Sequence, residues 1–263
     1  MPCVSPSGAS GSTTEPGVVT FRFALEYDGA DFAGWQVQAE GTRTVQGALE
    51  AALQQVTGAT ARVTGAGRTD AGVHAEWQVA SVTVETGLDP ERLARALNGV
   101  LPHDLAVVDC VTAPDDFHAR YAARSKLYCY RIWNGACASP LRRARCYRVA
   151  PPLDVEAMRK GALSLLGTHD FAAFQATGSQ LGSSVRTLTR LDVTGEPRGE
   201  IGLWVEGSGF LRHMVRNLAG TLIEVGLGQR QAASVAELLE SRDRQRAGPT
   251  APAQALTLVR VDY

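Results

Sequence analysis

The segment Gly65-Ala66-Gly67-Arg68-Thr69-Asp70-Ala71-Gly72-Val73-His74 sets one carboxylate, Asp70, between an arginine and side chains bearing a hydroxyl and an imidazole. Glycines flank it on both sides. Without a Cβ, glycine accepts positive φ at a tight bend and lets a large substrate approach the backbone. A single acid in such surroundings suits proton transfer or nucleophilic attack on a bound molecule. The same residues also fit a surface turn in which Asp70 bonds its own backbone.

A second stretch, Phe117 to Arg148, holds Arg120, Arg124, Lys126, Arg131, Arg142, Arg143, Arg145 and Arg148 and no acidic residue. Phe117, Tyr121, Tyr128, Tyr130, Trp133 and Tyr147 are interleaved with them. Guanidinium groups grip phosphates and flat rings stack on bases, which is the chemistry of RNA binding. The other reading turns the rings into a core and leaves the arginines solvated, because alternate strand positions face inward. A third stretch, Gly207 to Asn217, joins a strand to a helix through small residues. Arg212 and Arg216, four apart, then share one helical face. An arginine brought near Asp70 would keep that carboxylate ionised and aimed.

Other chemistries lack their residues. No Walker loop, dinucleotide fingerprint or paired-carboxylate motif occurs. The five histidines show no ligand spacing and the five cysteines form no C-x-x-C pair, so no metal site and no disulfide framework are expected. The formal net charge is −1; contact with a polyanion would depend on a local basic stripe. No apolar run is long enough for a bilayer, and no membrane partner is expected. Residues 1–16 are mostly Ser, Gly, Thr and Pro without the basic start or apolar middle of a secretion signal. They read as a disordered tail on a cytoplasmic protein.

The elements that position these stretches follow from periodicity. Val18–Tyr27 alternates as a half-buried strand. Thr44 caps a helix to about Val56, Arg62–Gly65 and Trp77–Glu85 are strands, and Asp89-Pro90 opens a helix to about Asn98. Asp104–Thr112 is a further strand. The order β-α-β-β-α-β repeats in a strand at Lys126–Trp133, a helix capped by Asp154 and running through Leu165, and strands at Val185–Thr194 and Ile201–Glu206. A helix at Phe210–Val225, a short one at Ser234–Glu240 and a strand at Gln254–Tyr263 complete it. His169 and Asp170 read as a helix-end turn. The implied class is α+β: two fused split-βαβ modules, 17–115 carrying Asp70 and 116–263 carrying the aromatic strand and the Arg216 helix. Joined edge to edge, they would form one continuous, mainly antiparallel sheet with helices on one face and a basic cleft on the other.

Taken together, the three stretches resemble the tRNA pseudouridine synthase A family. Gly67-Arg68-Thr69-Asp70-Ala71-Gly72-Val73-His74 is similar to its G-R-T-D-A-G-V-H motif. Tyr27-Asp28-Gly29, Gly34-Trp35-Gln36-Val37-Gln38, Phe117-His118-Ala119-Arg120, Tyr128-Cys129-Tyr130 and His213-Met214-Val215-Arg216-Asn217 add weaker matches. The resemblance implies a cofactor-free, metal-free isomerase that detaches uracil from ribose, rotates it and rejoins it through C5. Its expected substrates are uridines 38, 39 and 40 on the 3′ side of the tRNA anticodon arm. It also implies a homodimer in which one tRNA touches both subunits. Asp70 corresponds to the essential aspartate, Tyr128 to the tyrosine that stacks on the target uracil, and Arg216 to the arginine paired with the aspartate. Arg68 corresponds to a tRNA-contacting arginine that helps displace the base. Phe117, His118, Ala119, Arg120 and Tyr121, with Gly178, Ser179, Gln180, Leu181 and Gly182, correspond to segments that touch tRNA. Leu181 and Gly182 bring no charge where family versions are more basic. The chief rival is a noncatalytic RNA-binding or RNA-folding protein on the same platform. A glycosidase or phosphotransferase would need a second acid or a phosphate loop.

Overall fold

A computed structural model describes residues 17–178 and 182–263. The expected tail, 1–16, and three residues of the proposed tRNA-touching segment, Ser179, Gln180 and Leu181, lie outside the described residues. Strand β1 (Gly17–Tyr27) buries Phe21, Phe23, Leu25 and Tyr27, as a period of two requires. Helix α1 (Val45–Thr57) starts where the Thr44 hydroxyl accepts the Gly47 N–H and ends on a left-handed Gly58. Its buried stripe is Val45, Leu49 and Leu53, each leucine worth about 1.5–3 kcal/mol of transfer free energy. The short β2 (Thr64–Gly65) leads through the Asp70 loop into β3 (His74–Thr86). Helix α2 (Pro90–Asn98), capped by Asp89, and β4 (Leu105–Thr112) follow.

The second half repeats this order with additions. It runs β5 (Ser125–Trp133), β6 (Tyr147–Arg148), α3 (Val155–Leu163), β7 (Gly167–Asp170), β8 (Val185–Thr194) and β9 (Glu200–Gly207). Then come α4 (Met214–Gly226), α5 (Ser234–Ser241) and β10 (Leu256–Asp262). The class is α+β, with one mainly antiparallel sheet in the order β4-β1-β3-β10-β5-β9-β8-β7, β2 beside β3 and β6 beside β5. In each half the last strand lies against the first, β4 on β1 and β10 on β5. The halves meet where β10 runs parallel to the start of β3, with His74 opposite Thr257 and Ala75 opposite Leu258. Farther along the same edge of β3, Ala80 and Ser81 pair with β2. The loop carrying Asp70 leaves β2 and re-enters at this junction. That places it at the seam between the halves.

Three local expectations are corrected. The fourth helix begins at Met214, not Phe210, because His213 takes a left-handed conformation with φ 61°. Arg212 therefore sits in a turn and shares no helical face with Arg216. That turn sends Leu211 into the core and lets the Arg212 carbonyl accept the Ala176 N–H at 2.9 Å. Periodicity does not register a single left-handed residue. His169 and Asp170 belong to β7, paired with Arg186 and Val185 of β8, and backbone bonding alone makes this edge strand. Leu165 lies beyond the end of α3 and is buried all the same. No helix of the described residues is long and apolar enough to cross a membrane.

Candidate active site

The Asp70 loop is fixed mostly through its backbone. Gln78 Nε2 donates to the Gly67 carbonyl at 2.8 Å. Trp35 N–H donates to the Thr69 carbonyl at 3.0 Å, Gly72 N–H to the Phe32 carbonyl at 3.3 Å and Val73 N–H to the Asp70 carbonyl at 3.2 Å. The buried Thr69 hydroxyl shares a 2.9 Å hydrogen bond with the Tyr27 phenol. Burial pushes the Tyr27 phenol up to about 12, against the pull of its bonds to Thr69 and Gln78, so it stays a neutral strut. His74, which ends the motif, is 1% exposed and touches Gly29 N–H, the Ala144 carbonyl and the Gln254 carbonyl. It staples the loop to the second half. The loop from Tyr27 to Trp35 is thus the brace for Asp70.

The brace leaves the Asp70 carboxylate half-buried and turned toward α4. Arg216 Nη1 donates to Asp70 Oδ2 at 3.1 Å, while its Nε donates to the Ala251 carbonyl at 2.8 Å. Ala251 N–H returns a bond to the Arg216 carbonyl at 3.2 Å. The guanidinium is therefore clamped from two directions, a geometry its planar fork suits. His213 Nε2 lies 3.6 Å from the same carboxylate oxygen. Burial pulls the His213 imidazole below its ordinary value; Asp70 opposes that shift and Arg216, Arg212 and Arg244 add to it. The shift favours the neutral imidazole, and Arg216 supplies the positive partner of Asp70. Asp70 also stands beside the first turn of α4, the positive end of that helix. Asp70 Oδ1 accepts no bond from a described residue. One oxygen is held and the other is free.

Tyr128, on β5, is 7% exposed and meets Phe210 edge-on at 5.1 Å between ring centroids. Burial raises its phenol, and the proximity of Tyr27 and of the Asp70 carboxylate adds to this, which puts the ring within electrostatic reach of the carboxylate. Its hydroxyl makes no hydrogen bond among the described residues. A buried phenol without a partner is costly unless something else supplies one. The structure thus brings Asp70, Arg216 and Tyr128 together, with His213, Tyr27, Thr69 and Phe210 as neighbours that spacing did not single out. The motif Y-D-G…G-W held the only sequence signal for the brace.

The basic stretch divides. Arg131 pairs with Glu76 at 3.0 Å and Arg145 with Asp28 at 3.7 Å. Arg142 pairs with Glu200 at 2.9 Å and lies over the Trp133 ring. These charges are engaged internally. Arg68, Arg120, Arg124 and Arg212 are exposed and have no carboxylate partner among the described residues. Tyr121 is 77% exposed, stacked on His118 at 4.2 Å, with the Arg120 guanidinium 5.7 Å from the centre of its ring. Phe117 packs on Tyr263. Ala119 departs from the expectation of an RNA contact. It is fully buried, with its N–H given to Ser81 and its carbonyl taken by Tyr263, so it anchors the segment and presents no surface. Gly178 and Gly182 are exposed and left-handed at φ 74° and 67°.

A clamped carboxylate within electrostatic reach of a buried ring thus stands where the two halves meet, and several exposed arginines have no carboxylate partner among the described residues. Comparison with known proteins is specific. A model of the tRNA pseudouridine synthase family matches residues 23–122 and 162–263. The chain is 50% identical to tRNA pseudouridine synthase A of Myxococcus xanthus over 242 residues, covering 92% of this chain and 91% of that protein. It is 43% identical to the protein of the same name from Acetivibrio thermocellus, covering 92% and 98%, and 49% identical to that of Roseiflexus sp., covering 91% and 88%. The chain belongs to the tRNA pseudouridine synthase family.

The brace has a structural test. Gly34 holds φ +100°, and a Cβ there would stand 2.7 Å from the Thr69 carbonyl oxygen. Gly34→Ala is expected to cost about 1–2 kcal/mol, read by calorimetry as a melting temperature lower by roughly 2–8 °C. An unchanged melting temperature would show that this contact does not hold the loop.

Proposed function

We infer that this protein isomerises uridine to pseudouridine in tRNA, acting on the 3′ side of the anticodon arm. Family membership supports the reaction. The observation that carries the site assignment is Asp70 with one oxygen held by Arg216 at 3.1 Å and the other free. In the reaction the N1–C1′ bond breaks, the base turns while still bound, and a C5–C1′ bond forms. The hydrogen on C5 is lost and N1 gains one. The sugar carbon becomes electron-poor as the first bond breaks, and a carboxylate stabilises or traps it. One acid suffices because the base stays bound and no water attacks. The free oxygen of Asp70 serves attack on the sugar or the base, or removal of a sugar proton.

The target must leave its stack, at a cost of a few kcal/mol. Arg68, exposed two residues before Asp70 and without a partner among the described residues, fits a group that fills the gap. Tyr128 fits the floor on which uracil stacks, with its unpaired hydroxyl toward the base. Phe117, His118, Arg120 and Tyr121, with Gly178 and Gly182, extend the contact along the RNA, and Ser179, Gln180 and Leu181 join this reading by sequence alone. Two chains on one tRNA belong to the same reading, carried by the family resemblance.

The decisive experiment incubates purified protein with an unmodified tRNA transcript, without metal or cofactor, and maps converted uridines by a pseudouridine-specific adduct. Asp70→Asn is expected to lose product entirely while binding tRNA within about threefold of the parent. Residual turnover would remove Asp70 from the chemistry, and binding without any conversion by the parent would favour a noncatalytic RNA-binding protein. Arg216→Met is expected to lower single-turnover rate by about 100-fold or more. Arg216→Lys should recover only part of it, because an ammonium cannot span Asp70 and the Ala251 carbonyl together; full recovery would reduce Arg216 to a point charge. Tyr128→Phe should retain more activity than Tyr128→Leu, since stacking needs the ring. Equal loss would argue against stacking.

A further inference from the structure

Lys126, the second residue of β5, is 8% exposed. It makes no hydrogen bond and no ion pair with any described residue. Long cationic side chains usually bury their stems and keep the head in water. Here little of the residue is left exposed. Its stem runs along the Asp70 loop: a Cβ built on Gly67 would stand 3.2 Å from Lys126 Cε and 3.5 Å from Cδ. Burial lowers the pKa of its ammonium, and the charge that adds to this is another cation, Arg120. Arg120 itself has no carboxylate partner among the described residues.

A buried cation that no described residue neutralises feels the repulsion of a second cation, Arg120. A buried, unpaired charge is expensive. An anion bound beside Lys126 would offset both the desolvation cost and the repulsion. The position says which anion. Lys126 is two residues from Tyr128 on β5, so both side chains leave the same face of the strand, about 6–7 Å apart along it. On the loop side, Gly67 is three residues from Asp70. The stem of Lys126 thus runs against the loop that carries Asp70 and leaves the same strand face as Tyr128, the two groups assigned to the reacting nucleotide.

We propose that Lys126, with Arg120, binds the backbone phosphate that flanks the uridine being converted and so sets its sugar against Asp70. This rests on the reading of Asp70 and Tyr128 given above. Lys126 acts as a positioning residue through that phosphate and takes no proton in the reaction.

The test pairs protein and RNA changes. tRNAs carrying a single neutral methylphosphonate at each phosphate around the target are bound to the parent and to Lys126→Met, which keeps the stem and removes the charge. The parent is expected to lose about tenfold in affinity at one flanking phosphate and little elsewhere. Lys126→Met should bind unmodified tRNA about tenfold more weakly near ~0.1 M salt, with a salt slope smaller by about one. It should show no further loss on the methylphosphonate RNA. Its melting temperature should not fall, because a desolvated charge has been removed. Lys126→Arg should restore the methylphosphonate penalty. An unchanged salt slope with the full penalty in Lys126→Met overturns the proposal. So does a parent protein indifferent to both flanking phosphates, which needs no variant to fold. These are binding measurements: a parent that converts no uridine would defeat the catalytic reading, while a parent that converts uridine with no flanking-phosphate penalty would defeat this inference alone.

Discussion

One ion pair organises this molecule. Asp70 and Arg216 are 146 residues apart, on a loop of the first half and a helix of the second, and meet at 3.1 Å. Neither half can build the site alone. The contact needs the parallel seating of β10 on the start of β3, because that junction puts the Asp70 loop over α4. A displacement of about 1 Å between a reacting group and its target can cost two orders of magnitude in rate. Much of the surrounding structure serves to prevent such a displacement.

On the loop side, stiffness comes from satisfied backbone groups. The carbonyls of Gly67, Thr69 and Asp70 are each taken by a defined donor, leaving few alternatives for the chain between them. On the helix side the device is a strap. The buried Asn217 donates to the Phe174 carbonyl and accepts from Arg244 and Thr250, while Gly248 N–H donates to Thr221. Gly220 admits the strap, for a Cβ there would fall 1.8 Å from the Pro249 carbonyl oxygen. The strap ends at Ala251, which grips Arg216. His213 carries the strain of this arrangement: its left-handed backbone reorients the chain between Leu211 and Met214.

The electrostatics show the same division of labour. Charges distant from the site are neutralised within the protein, as in Arg43 with Asp104 and Arg230 with Glu224. Arg68, Arg120, Arg124 and Arg212 are left without a carboxylate partner among the described residues, and Lys126 is left so even while buried. A fold selected for stability alone would pair them or replace them by apolar groups. The unpaired cations mark where an anionic ligand completes the structure.

Strands, helices and their caps were legible because each depends on local spacing. Thr44, Asp89 and Asp154 cap helices where their side chains can reach an N–H three residues on, and β1 alternates as its residues do. The repeat of β-α-β-β-α-β was legible for the same reason, and the long motif singled out Asp70. Short-range pattern could not show that His213 is left-handed, that β7 exists, or that Arg131, Arg142 and Arg145 are engaged by acids. Those outcomes depend on residues far away in the chain. By itself the sequence determined the elements and the repeat and singled out the acid on which the proposed reaction rests, since backbone propensity and side-chain chemistry are properties of neighbouring residues. Only the tertiary structure decided how Arg216 is clamped between that acid and the Ala251 carbonyl, how deeply Tyr128 is buried, and which lysine is buried with no counter-charge among the described residues. Distance, burial and charge pairing arise when segments more than a hundred residues apart are packed against each other.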